Sequence, residues 1–129
     1  MAQFLRTATP MGDWRSFKIT VPSGGMEIGK IYKVQDTYGV FFSQDGTDGD
    51  TIAEGESGYL IYEAEKIMVA KDTNAINAGD IVYYNASAGT VSATNGGSDI
   101  AIGICVESAS ASDTQVMIDL DGRAMINIS

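Results

Sequence analysis

Apolar and polar residues alternate along short stretches of the chain, the period-two pattern of strands with one face on a core. Ser16–Val21 (SFKITV) alternates and stops at the turn cluster Pro22-Ser23-Gly24-Gly25. Ile28–Val34 (IGKIYKV) and Tyr38–Phe42 (YGVFF) follow, ending at Asp45–Asp50 (DGTDGD), which has the composition of an exposed turn. Gly58–Ile61 leads into Tyr62–Val69, and Lys71–Ala78 (KDTNAINA) is the one segment suited to a short helical turn. Beyond Gly79-Asp80 come Ile81–Asn85 (IVYYN), a turn at Ala86–Gly89, and Thr90–Ala93. Asn95–Ser98 separates these from Ile100–Glu107 (IAIGICVE). The polar turn Ser108–Asp113 precedes Gln115–Leu120, Asp121-Gly122 closes that strand, and Ala124–Ile128 (AMINI) is a further strand candidate.

Some eight to ten short strands at roughly ten-residue spacing predict an all-β fold, a small β-barrel or β-sandwich. No stretch sustains a 3.6-residue period, which excludes a helical bundle, and no internal repeat is present. Residues 1–15 lack alternation, contain Pro10 and Gly12, and predict an extended N-terminal arm ahead of a single β-domain over 16–129. The arm holds Phe4, Leu5, Met11 and the only tryptophan, Trp14. Exposed aromatic anchors are enriched at interfaces, whereas a Trp14 folded back would cover a sheet edge of its own subunit. The pattern leaves both open.

Composition narrows the chemistry. The chain has 129 residues, enough for one domain with a core that needs no disulfide or metal. Glycine is abundant at 15 while proline numbers only 2, in keeping with many turns between strands. No window is apolar enough to cross a membrane, and the N-terminus lacks the apolar core of a signal peptide. Histidine is absent, which removes the usual general base near neutral pH and the commonest neutral metal ligand. Cys105 is alone and lies in an apolar run, so it forms no internal disulfide and suits an inert buried thiol. Neither a Ser/His/Asp nor a Cys/His constellation can be assembled.

The net charge of −9 disfavours nucleic acid as a partner. It is unevenly spread. Residues 1–33 hold Arg6, Arg15, Lys18, Lys30 and Lys33 against Asp13 and Glu27, a balance of +3. Residues 34–129 hold three bases against fifteen acids, a balance of −12. An acidic body therefore carries a mildly basic leader.

The remaining candidates for chemistry are weak. Asp45, Asp48, Asp50, Glu54 and Glu56 cluster, but their spacing fails the calcium-loop pattern, and a solvated acidic turn accounts for them better. Glu63/Glu65 and Asp119/Asp121 each share a strand face, a property any acidic strand offers. Gly24-Gly25 and Gly96-Gly97 lack the following lysine and helix of a phosphate loop. Gly55-Glu56-Ser57-Gly58 lacks the spacing of a nucleophile elbow. Asn85-Ala86-Ser87 and Asn127-Ile128-Ser129 match a glycosylation triplet by chance. Tyrosines 32, 38, 59, 62, 83 and 84 could form a glycan platform, although aromatic residues are favoured in strands anyway. No catalytic, cofactor-binding or metal-binding residue is expected.

One resemblance joins several of these segments. Ser23-Gly24-Gly25, Gly39-Val40, Gly58-Tyr59, then AGDIVYYNASAGTVSAT (Ala78–Thr94) and IAIGICVESASASDTQVMIDL (Ile100–Leu120) follow one another in order. Together they resemble the small capsid decoration, or cement, proteins of tailed bacteriophages over roughly residues 16–120. The resemblance implies a compact β-body on the outside of an assembled icosahedral shell, in the virion, after assembly in the host cytoplasm. It also implies the major capsid protein and further copies of the same chain as partners. A homotrimer is expected ahead of a homodimer, with no nucleic acid, membrane, cofactor or enzymatic activity. Within that expectation the leader makes the shell contact, through Phe4, Leu5, Arg6, Met11, Trp14 and Arg15. The competing classes are a carbohydrate- or cell-surface-binding β-module of a phage tail or bacterial surface, and a metal-dependent Asp/Glu enzyme.

Overall fold

The computed structural model describes residues 13–96 and 99–122. Ten strands run in the order β1 (Trp14–Thr20), β2 (Met26–Glu27), β3 (Ile31–Val34), β4 (Thr37–Phe42), β5 (Thr51–Ile52), β6 (Ser57–Ala70), β7 (Ile81–Asn85), β8 (Thr90–Ser92), β9 (Ile100–Glu107) and β10 (Gln115–Asp121). All strand–strand pairings are antiparallel, and no helix is present among the described residues. β2 and β5 form a separate two-stranded sheet.

β6 is the axis of the molecule. Its residues Tyr59–Ile61 pair with β4 and also with β1, so those two strands lie on opposite edges. Glu63 and Ala64 pair with both β1 and β10, so β10 shares the edge used by β4. Gly122 marks the changeover: its N–H donates to the Tyr62 carbonyl at 2.8 Å and its own carbonyl accepts from Tyr38 at 2.8 Å. A Cβ at this position would overlap the Tyr38 backbone, so only glycine fits the wedge.

Beyond the wedge β6 bends. Ile67 opposes Ile118 and Ala64 opposes Leu120, leaving Glu65 and Lys66 against the single residue Asp119. Lys66 takes φ 57°. Its N–H is held by Asp119 Oδ1 at 3.0 Å, which satisfies the donor that the bulge takes out of the ladder. The bend lets the sheet order β6-β10-β9-β7-β8 curl round until Lys71 meets Val91 in a parallel bridge. The barrel is thereby nearly closed. Val40, Ile61, Ile67, Ile76, Ile102 and Ile118 pack in its core, all fully buried. The Tyr84 hydroxyl donates to the Ile31 carbonyl at 3.0 Å, tying β3 over the same core.

Lys71 sits at the seam, 5% exposed. Its ammonium donates to the carbonyls of Asp72, Ser110 and Asp113 at 2.8, 3.0 and 3.0 Å. Buried charge is tolerated where its hydrogen-bonding capacity is met, and three acceptors match three donors here.

Two sequence expectations are corrected. The segment Lys71–Ala78 is not helical. Asp72 Oδ1 captures the Asn74 N–H at 3.1 Å, and Ile76 exchanges both backbone bonds with Ala109 at 3.0 and 2.8 Å, so these groups are engaged elsewhere. The arm does not extend to residue 15 either. Trp14 and Arg15 already belong to β1, opposite Ala64 and Glu63, because the ladder continues as far as a bond from the Glu65 N–H to the Asp13 carbonyl at 3.0 Å. The strand expected at Ala124–Ile128 and the triplet at Asn127 lie outside the described residues.

Gly122→Ala is expected to cost about 3 kcal/mol of stability, since the wedge can accept a methyl only by parting β4 from β6. Chemical denaturation of the variant against the parent chain measures this.

Candidate functional site

Five strands contribute to one open cleft of about 1070 Å³. β1 contributes Trp14 and Arg15, with Asp13 just before it; β6 contributes Glu63, Ala64 and Glu65. β10 gives Asp119, Leu120 and Asp121, β9 gives Ala101, Gly103 and Ile104, and β7 gives Ile81. Ile81 and Ile104 are cross-strand partners, each 49% exposed, and they form an apolar floor on the outward face. Five carboxylates and one guanidinium surround it. Arg15 Nε lies 3.1 Å from Glu63 Oε1, an exposed pair of small energetic weight.

The residues expected to contact a shell divide in two. Trp14 and Arg15 meet at this cleft, whereas Phe4, Leu5, Arg6 and Met11 lie outside the described residues. Trp14 is 43% exposed and leans edge-on against Phe42 of its own chain, with ring centroids 6.2 Å apart. It therefore covers its own sheet in part and remains open to solvent in part. The two carboxylate pairs, Glu63/Glu65 and Asp119/Asp121, lie on different strands and both line the cleft. Asp119 is committed to the bulge at Lys66.

The other candidates resolve into local structure. Asp50 Oδ2 accepts the Thr47 N–H at 2.9 Å and closes the acidic turn upon itself. Among the described residues no three acidic or thiol groups gather in a metal-binding arrangement. Ser57 opens β6 opposite Thr20, within a ladder and not on a strand-to-helix elbow. The tyrosines form no common exposed face: Tyr84 is buried, Tyr32 and Tyr38 pack on the core, and Tyr59 alone is exposed. Cys105 is buried, and its thiol donates to the Glu107 carbonyl at 3.2 Å.

Burial pushes the Cys105 thiol above its ordinary pKa; a hydrogen bond with the Glu107 backbone opposes the shift, and the nearby charges of Asp80 and Glu107 add to it. Burial likewise raises Tyr84, helped by Tyr32 and Tyr38.

The sequence profile of phage cement proteins matches residues 11–120. The chain belongs to the phage cement protein family. Membership places it in the phage virion as a capsid-binding component. The matched span of this cement protein includes Met11, Trp14, Arg15 and the whole cleft apart from Asp121. Phe4, Leu5 and Arg6 fall before it. No curated protein matches the chain.

Cys105 is expected to resist thiol reagents until the cement protein unfolds. Both raised groups favour their neutral forms in the fold. Stability should therefore be retained below the ordinary thiol range, about pH 8.5, and decline above it, with Tyr84 adding to the loss from about pH 10. Unfolding free energy measured against pH, with Cys105→Ala as the comparison, checks the sign; a rise above pH ~9 would contradict it.

Proposed function

We propose that the chain decorates the outside of the assembled icosahedral shell and bridges neighbouring major capsid subunits, acting as a homotrimer with no catalytic step. The observation that carries this is the cement-protein match over residues 11–120. A nearly closed barrel with a fully packed core is suited to the task, because a bridging body must transmit load without deforming. The leader residues Phe4, Leu5, Arg6 and Met11, with Trp14 and Arg15 at the start of β1, make the shell contact in this scheme. Anchors on each copy of a trimer would act together, turning weak single attachments into firm occupancy. The acidic body, at −12 over residues 34–129, would face outward. Decoration would stabilise the virion by holding adjacent subunits at fixed separation.

Purified expanded shells mixed with the protein test this by co-sedimentation and by the temperature of shell disruption. The parent chain is expected to bind and raise that temperature, and light scattering of the free protein should give three times the chain mass. Phe4→Ser with Arg6→Glu should lower shell affinity about tenfold or more, equivalent to about 1.4 kcal/mol. Failure of the parent chain to bind would overturn decoration. Full binding by the variant would overturn the leader assignment alone.

A further inference from the structure

We propose that, while the protein is free of the shell, its own first twelve residues dock in the cleft between β1 and β7. Four large apolar side chains are markedly exposed among the described residues: Trp14, Tyr59, Ile81 and Ile104. Three of them belong to this one cleft. An apolar floor inside a charged rim marks a contact surface more specifically than scattered exposed residues would.

Charge selects the occupant. Among the described residues the rim carries Asp13, Glu63, Glu65, Asp119 and Asp121, with Arg15 as the one base. A second cleft packed face to face would set carboxylates against carboxylates, which disfavours symmetric self-pairing. Residues 1–12 (MAQFLRTATPMG) contain no acid, carry Arg6, and offer Phe4, Leu5 and Met11 to the apolar floor. Their composition complements the cleft in both respects.

Position and reach agree. The Asp13 carbonyl accepts the Glu65 N–H at 3.0 Å, so the leader joins the body on the rim itself. Crossing from β1 over β6, β10 and β9 to β7 takes four strand spacings, about 19 Å. Phe4 lies nine residues before Asp13, an extended reach of about 30 Å, and Gly12 allows the chain to turn at once. A short covalent tether supplies an effective concentration in the millimolar range, so a weak contact suffices. Docking would keep the leader's apolar residues out of water until a shell competes for them. The inference does not require the leader to be the shell contact, because the contacts that decide it are measured in the free protein.

The test is methyl NMR on the full-length chain. Nuclear Overhauser contacts are expected from Phe4, Leu5 or Met11 to the δ1 methyls of Ile81 and Ile104. Arg6→Glu should abolish them and shift both methyl signals, and high salt should act in the same direction. Ile104→Asp, at an exposed position, should release the leader while the fold is retained. Absence of the contacts in the parent chain would overturn the proposal. Contacts appearing only between differently labelled copies would overturn the assignment to the chain's own leader. Loss of shell binding by Ile104→Asp, together with an uncontacted floor in the free protein, would assign the cleft to the shell instead.

Discussion

The fold depends on β6 serving three partners along two edges. One edge carries β1, while the other is divided between β4 and β10 at Gly122. A strand paired on both edges has no freedom to slip, because shifting it by one residue would turn Ile61, Ile67 and Val69 out of the core. The bulge at Lys66 then supplies the bend that lets the second half of β6 reach the barrel seam. The wedge fixes where the sheet divides, and the bulge fixes where it curls. The cleft is a by-product of both, since it opens where β1 and β10 flank β6 just short of the bend.

Much of the fold was legible in the sequence, for identifiable reasons. Ile81–Asn85 and Ile100–Glu107 were bounded correctly because glycine and aspartate precede each apolar run and small alanine and serine residues follow it. The unbroken course of β6 was not legible: a lysine at positive φ held by a carboxylate 53 residues away leaves no local signature. The start of β1 was missed because Trp14 and Arg15, both exposed, precede the alternation that begins at Ser16. Lys71–Ala78 suited a short helical turn, but long-range partners claim its backbone groups.

The site was legible in part. Family resemblance pointed to a capsid partner, and Trp14 and Arg15 were singled out before their surroundings were known. The cleft floor was missed because Ile81 and Ile104 sit in runs that are apolar at both parities. Such runs indicate strands buried on both faces, yet here the second face is open. That mismatch was the one available signal. The acidic rim could not be read at all, since its members come from three separate segments that only the barrel brings together.

The Lys71 ammonium occupies a position that many small β-proteins would give to a bound cation, with three carbonyl oxygens converging on one positive charge. Here the cation is covalently part of the chain. A chelator cannot strip it, dilution cannot dissociate it, and its occupancy follows from translation and not from the ion content of the surroundings. For a component of the virion, the seam of the barrel keeps its positive charge whatever ions the surroundings hold.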